Sequence, residues 1–206
     1  MKKIFLLAAL GSLMVLPASA KDKTATETKL TPEQTEAKYT AAIEGRTADI
    51  LKILALSDTN KVARVHDIIM AQYRALNAWH EANDPKLKAA RADQEATAKI
   101  RASLKTLHAE FLSRLAENLT PEQIELVKDK MTYGKVQFTF AGYCAAYSDL
   151  SETNKQEILR LLKEAREEAM DGGSSDEKSA IFNRYKGKIN NYLSKQGVHP
   201  DKQKAK

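Results

Sequence analysis

The residues whose types could hold a ligand are concentrated between positions 131 and 147, where the chain is rich in aromatic side chains. This stretch contains five aromatic residues and the only cysteine of the chain. An aromatic ring can stack on the apolar face of a sugar, while nearby amide and hydroxyl groups bond the sugar hydroxyls. Four residues of the stretch supply these groups and are the candidate ligand-binding residues: Tyr133, Gln137, Thr139 and Tyr143.

The adjacent pair Trp79-His80 is a second candidate binding position, because it places an aromatic plate beside a polar ring. Trp79 also ends a run of apolar residues at helical spacing, so packing in the core is the alternative interpretation. A metal site at His80 is not expected. The preceding histidine, His66, lies fourteen residues away, which is about 21 Å along a helix.

The sequence contains none of the usual catalytic or cofactor motifs. It has no glycine-rich phosphate loop, no Gly-x-Ser-x-Gly, no His-Glu-x-x-His and no cysteine pair. We therefore expect no catalytic residue, no metal and no cofactor, and a binding protein rather than an enzyme. Cys144 cannot form an intramolecular disulfide and is interpreted as a small buried apolar residue, with a reactive or dimer-forming thiol as the alternative.

Three interpretations of the aromatic stretch remain open. Its rings can plug the end of a helical bundle, since apolar stripes are most often part of a core. They can form a platform for a carbohydrate, as described above. They can also form an apolar surface, rimmed by charge, for a client protein. The choice depends on which rings are exposed.

Amphipathic helices are predicted on both sides of this stretch. Residues 31–34 and 120–123 both read Thr-Pro-Glu-Gln, which combines a capping threonine, a proline at the first helical position and a glutamine that completes a capping box. Apolar residues then recur at spacings of three and four. The second helix is predicted to end at Pro85, and the paired glycines at 172–173 predict the end of another.

A short extended segment is predicted inside the aromatic stretch, because Val136, Phe138 and Phe140 alternate with polar residues. Two pairs of matching segments suggest an internal duplication: residues 30–34 match 119–123, and residues 56–61 match 150–155. The fold class we predict is therefore all-α, a helical bundle of two related helical-hairpin units with one short extended aromatic segment.

The N-terminus has the pattern of a secretory signal peptide. Two lysines precede an apolar run at residues 4–16, and small residues follow up to Ala20. We expect cleavage after Ala20 and a periplasmic or secreted mature chain. No later stretch predicts a membrane span. The predicted organisation is a signal peptide at 1–20, a flexible start at 21–29, one helical domain at 30–197 (units about 30–118 and 119–197) and a basic tail at 198–206.

The charge of the chain gives no indication of a nucleic-acid partner. The net charge is +6, but the leader and the C-terminal tail carry much of it, and the body of the chain mixes both signs. A nucleic-acid-binding domain concentrates its basic residues on one face or stripe. The remaining partner class suggested by the candidate residues is carbohydrate.

Two resemblances to known families add to these expectations. The segments at 119–134, 161–171 and 185–193 resemble a family of exported bacterial proteins of unknown function, provisionally described as sugar-binding. That resemblance implies a carbohydrate ligand and brings no site residues. The paired Leu-Thr-x-x-Gln motifs at 30–34 and 119–123 are similar to those of periplasmic chaperones of the Spy and CpxP type. This second resemblance implies, as an alternative, a periplasmic chaperone or envelope-stress protein.

Overall fold

The computed structural model describes residues 30–201, which form seven α-helices. The all-α prediction is confirmed, and the predicted signal peptide and flexible start lie outside the described residues. The helices are α1 (Pro32–Leu54), α2 (Thr59–Ala89), α3 (Gln94–Ala116), α4 (Pro121–Met131), α5 (Lys135–Ala146), α6 (Glu152–Met170) and α7 (Ser175–Lys195).

The two predicted capping boxes are present at the starts of α1 and α4. In each, the threonine side chain accepts from the backbone N–H of the glutamine three residues later. The glutamine side chain in turn accepts from the threonine backbone N–H, at 2.9 Å for Thr31 and 3.1 Å for Thr120. Two otherwise unpaired backbone donors are satisfied at each helix start, which fixes where α1 and α4 begin.

The extended segment predicted around residues 136–140 is wrong, because Lys135–Ala146 forms helix α5. Along a strand, alternate residues share a face, whereas in a helix they point in different directions. Accordingly Val136 is buried while Phe138 is 80% exposed. The alternation misled the prediction because an aromatic residue was assumed to be buried. Helix α2 also runs past Pro85, the predicted end, to Ala89.

The buried residues form two hydrophobic clusters. The first joins α1, α2, the end of α3 and α4, with Ile43, Ile69 and Leu115 at its centre. The second joins α5, α6 and α7. The clusters meet where α4 contacts α6, close to the turn between α4 and α5. That turn therefore lies at the seam between two packed halves.

The last described residues contact the second half of the bundle. Of the predicted basic tail, residues 198–201 are described. Val198 packs against the second cluster, and the Asp201 carboxylate accepts from the backbone N–H and hydroxyl of Ser148. No helix in residues 30–201 is both long and apolar enough to cross a membrane.

Candidate functional site

A cleft of about 580 Å³ lies at the seam between the two halves of the bundle. Helix α1 supplies one wall, the turn between α4 and α5 supplies another, and α2 and α7 each contribute one side chain. Apolar side chains such as Ile50 and Ile53 line it together with polar groups from Arg46, Asp49 and Gln137. A mostly apolar cleft with a few polar groups is the usual form of a small-molecule site.

Tyr133 stands in the wall of this cleft in an unusual backbone conformation. Its φ is +60°, and that of Gly134, which follows it, is +63°. A left-handed conformation costs a residue with a Cβ atom about 1–2 kcal/mol. The two consecutive left-handed residues form the turn between α4 and α5, and the Tyr133 side chain is left 48% exposed. Strain of this kind is concentrated at binding and catalytic sites in proteins.

Lys178, the contribution of α7 to the cleft, is 6% exposed. Its Nζ donates to the carbonyl oxygens of Met131 at 3.1 Å and Met170 at 3.4 Å, the last residues of α4 and α6. The carbonyl end of a helix carries partial negative charge, which suits an ammonium group. Burial, and after it the nearby charge of Arg46, lower the pKa of the Lys178 amine to about 8.

The paired glycines between α6 and α7 allow this arrangement. A Cβ at Gly172 would lie 3.0 Å from the Lys178 Cγ atom, and one at Gly173 would lie 2.7 Å from the His80 ring. Real Cβ atoms essentially never lie closer than 3.0 Å to another atom, so the neighbouring atoms would have to move. These glycines therefore do more than end α6, because they also let Lys178 and His80 approach the backbone.

Helix α4 is held in place by a buried ion cluster on its side facing α6. Arg166, which is 3% exposed, donates to Asp129 at 2.7 Å and to Glu125 at 2.6 Å. Asp129 also lines the cleft. A buried arginine that bonds two carboxylates fixes both position and orientation. Through this cluster α6 fixes the position of α4, and therefore the position of the turn that carries Tyr133.

A second charged cluster joins α3 to the end of α6. The His108 ring faces Asp171 at 2.9 Å on Nδ1 and Glu167 at 3.5 Å on Nε2. The hydrogen bonds to Asp171 and then Glu167 raise the pKa of His108 to about 9. Although burial alone would raise the pKa of Glu167, its bonds to His108 and Lys128 lower that pKa to about 2. This cluster lies outside the cleft and acts on stability.

Of the candidate residues predicted from the aromatic stretch, the structure brings two together in the cleft. Tyr133 and Gln137 both line it. Thr139 and Tyr143 instead lie in an open, largely apolar groove on α5. Both are buried, and the Tyr143 hydroxyl already donates to Asn190 at 2.8 Å. Thr139 and Tyr143 lie four residues apart and so share one face of α5, whereas Gln137 lies on another face, next to the turn that carries Tyr133.

The other candidate pair, Trp79-His80, lies apart from the cleft. The Trp79 indole donates to the Ser103 hydroxyl at 2.9 Å. The His80 ring is buried, and its Nε2 donates to the carbonyl oxygen of Asp171 at 2.7 Å. Both side chains thus make contacts that tie α2 to neighbouring elements.

Two cleft residues were missed from the sequence, Arg46 and Lys178. Arg46 has no sequence signal, since it is one of three basic residues on α1 and nothing in its spacing distinguishes it. Lys178 has one, because it precedes Ile181, Phe182 and Tyr185 at spacings of three, four and seven. A lysine in register with an apolar helix face is unusual, and that position could have identified it.

The fold and the cleft define the class, an all-α helical protein whose described part carries a cleft with mixed apolar and polar walls. Within residues 30–201, no group of three or more His, Cys, Asp and Glu side chains is arranged to hold a metal ion. A family model described as "Protein of unknown function (DUF3826)" matches residues 40–206.

That match covers well over half of the sequence, so the chain belongs to this family. No curated protein matches the sequence. The resemblance to a family of unknown function is thereby confirmed. The sugar-binding description and the likeness to periplasmic chaperones stay predictions.

Proposed function

We propose that the protein is exported and binds a carbohydrate, without catalysis, in the cleft that contains Tyr133. The observation that carries this proposal is the conformation of Tyr133. Its backbone is left-handed, and its ring is half exposed beside a cleft of about 580 Å³. A protein that needed only a turn here would gain stability from glycine or asparagine. The strain is accounted for if the ring is used to stack on a ligand.

The composition of the cleft wall suits a sugar in particular. A sugar ring has an apolar face and a rim of hydroxyls, so its site needs an aromatic ring with hydrogen-bonding groups around it. Tyr133 supplies the ring. Arg46 supplies donors, Asp49 supplies acceptors, and Gln137 supplies both. The volume is within the range of clefts that hold small ligands, about 300–1,000 Å³.

Binding without catalysis is supported by the interactions that the acidic side chains of the cleft already make. Glycoside hydrolysis by the usual route needs two carboxyl groups, one on each side of the scissile bond. The cleft is lined by Asp49 and Asp129, but Asp129 accepts a hydrogen bond from the buried Arg166 and is committed to holding α4. That leaves Asp49 alone among the described cleft carboxylates.

The test is a thermal shift of the mature chain, residues 21–206, against a panel of mono- and oligosaccharides. A ligand at about a hundred times its dissociation constant stabilises the folded state by roughly 2.7 kcal/mol. For a chain of this size the expected rise in Tm is about 5–10 °C. Chromatography of the incubated sugar should show no cleavage products.

The matched variants are Tyr133→Ala and Phe138→Ala. Both remove an exposed aromatic ring, but Phe138 lies outside the cleft. We expect Tyr133→Ala to abolish the shift and Phe138→Ala to preserve it. Absence of any saturable shift across the panel, or an equal loss in both variants, would sink the carbohydrate proposal.

The second candidate function is that of a periplasmic chaperone or envelope-stress protein. The observation that favours it is the groove on α5, where Phe138 is 80% exposed beside Ala141 and Gly142. Exposed apolar surface of this kind can hold unfolded chains. The protein should then suppress aggregation of reduced insulin, and Phe138→Ser should abolish that activity. Unchanged insulin aggregation at equimolar protein would rule this function out.

A further inference from the structure

A small cavity of about 70 Å³ adjoins the cleft on the side of α7. Four residues line both spaces and so mark their junction: Arg46, Tyr73, Tyr133 and Lys178. One water molecule takes up about 30 Å³ of liquid. The small cavity is therefore large enough for a group of two or three heavy atoms projecting from a ligand in the cleft.

The walls of the small cavity are positive and rich in hydrogen-bond donors. Arg46 and Lys178 contribute two positive charges, and Ser174, the N-cap of α7, and Ser175, its first residue, bring the positive end of that helix. No acidic side chain lines this cavity within residues 30–201, whereas the cleft beside it is lined by two. The small cavity is thus lined by positive charge, whereas the cleft beside it is lined by charges of both signs.

Both cations retain donors for a ligand. Arg46 lies with its guanidinium carbon 5.9 Å from the centre of the Tyr73 ring, and it makes no hydrogen bond or ion pair with another described residue. Lys178 has three N–H donors, of which two face the carbonyl oxygens of Met131 and Met170. Its charge is met only by neutral backbone groups within hydrogen-bond distance in the described part of the chain.

The hydroxyl of Tyr73 is a third donor that remains available to a ligand. Tyr73 is about nine-tenths buried and lines both spaces, and its hydroxyl makes no hydrogen bond with the residues described. The hydroxyl oxygen itself is reached by solvent and is therefore open to a ligand in the cavity. Beside an arginine and a lysine, a partner that accepts hydrogen bonds and carries negative charge is the best match.

We propose that the sugar bound in the cleft carries a carboxylate, as a hexuronic acid does, and that this carboxylate enters the small cavity. There it accepts hydrogen bonds from Arg46, Lys178 and the Tyr73 hydroxyl, while the sugar ring stacks on Tyr133. This inference rests on the proposed carbohydrate function and specifies its ligand class. A carboxylate has three heavy atoms and is planar, which fits both the cavity size and the fork of an arginine.

The experiment compares two trisaccharides of the same linkage, an α-1,4-linked galacturonate trimer and an α-1,4-linked galactose trimer, by calorimetric titration. We expect the acidic trimer to bind about tenfold tighter at low salt. Part of that preference should be lost at about 1 M salt, because the screening length falls to about 3 Å and the charge of the exposed Arg46 is screened. Equal affinities for the two trimers would overturn the inference and leave the carbohydrate function standing.

The variant that tests the site is Arg46→Gln, since Arg46 is exposed and its loss should not impair folding. It should lower affinity for the acidic trimer about tenfold and affinity for the galactose trimer by less, because the neutral sugar loses a hydrogen-bond donor and no charge pair. Arg160→Gln on the surface of α6 is the control and should change neither affinity. An unchanged acid preference in Arg46→Gln would contradict the proposed cavity.

A small dicarboxylate, glutarate, distinguishes an acidic sugar from a simple anion. We expect glutarate to bind far more weakly than the acidic trimer, because it lacks a ring to stack on Tyr133. Glutarate binding as tight as the acidic trimer, with no binding of galactose oligomers, would overturn this inference together with the carbohydrate function. Failure of all three compounds to bind would overturn this inference, and the carbohydrate function would then be decided by the sugar panel.

Discussion

The Nζ atom of Lys178 lies 3.1 Å from the carbonyl oxygen of Met131, so the first turn of α7 is hydrogen-bonded to the last residue of α4. A second bond, at 3.4 Å, reaches the last residue of α6. One buried ammonium group thus ties together the ends of three helices, directly beneath the turn that carries Tyr133. The stability of the bundle and the shape of the cleft are coupled at this lysine.

The Lys178 amine should make stability rise at alkaline pH. Its pKa is about 8 in the folded protein and 10.5 in an unfolded chain, so between those values the unfolded state binds the extra proton. Relative to Lys178→Met, the wild type should gain about 3 kcal/mol from pH 8 to 10.5. Urea unfolding of both proteins across this range measures it. A pH-independent difference would show that Lys178 is not buried as described.

His108 should have the opposite pH dependence. Its pKa is about 9 when folded against an ordinary value of 6.5, so its stabilising effect is complete below pH 6.5 and lost as pH rises through 9. The stability difference between wild type and His108→Gln should shrink by about 2–3 kcal/mol across that window. Chemical unfolding at pH 6 and pH 9.5 tests this, and a constant difference would be the contrary result.

Arg166 should be among the most sensitive positions in the fold. Arg166→Ala leaves the partly exposed Asp129 and Glu125 without their buried partner, and the loss of hydrogen bonds to charged groups costs about 1.5–3 kcal/mol. Arg160→Ala on the same helix breaks an exposed pair and should leave stability nearly unchanged. Thermal unfolding of both variants makes the comparison. Similar melting temperatures would mean that the Arg166 cluster does not hold α4.

The left-handed turn between α4 and α5 makes two opposite mutational effects testable. Gly134→Ala should destabilise by about 1 kcal/mol from backbone strain alone, because a Cβ there would meet no atom within 4 Å. Tyr133→Gly should relieve strain and raise stability by about 1 kcal/mol. Differential scanning calorimetry measures both changes. A destabilised Tyr133→Gly variant would indicate that the ring packs in the core instead of serving a ligand.

Local signals were sufficient to predict most helix starts. Thr31 and Thr120 cap their helices through side-chain bonds to residues three positions away, and such contacts are visible in sequence. Helix α5 was missed because its N-cap is Gly134, which provides no side-chain cap bond. The prediction for this segment therefore depended on its aromatic pattern, which indicated an extended conformation. The exposure of Phe138 is a property of the assembled bundle and has no local signal.

The candidate site was predicted only in part, because only some of its residues lie close together in the sequence. Tyr133 and Gln137 lie within one short stretch, so their types and proximity were evident from sequence. Arg46 and Lys178 are 132 positions apart and meet only because α1 and α7 pack around the same turn. Whether Thr139 and Tyr143 face that cleft depended on the helical geometry of α5, which the alternating pattern concealed.

The most direct test of the carbohydrate cleft is a calorimetric titration of the best sugar from the panel into the wild type and Tyr133→Gly. We expect the wild type to saturate at one sugar per chain. Tyr133→Gly should give no measurable binding although it melts about 2–4 °C higher, so that loss of fold cannot explain the loss of affinity. Equal affinity in the two proteins would contradict the central claim that the Tyr133 ring is the sugar platform.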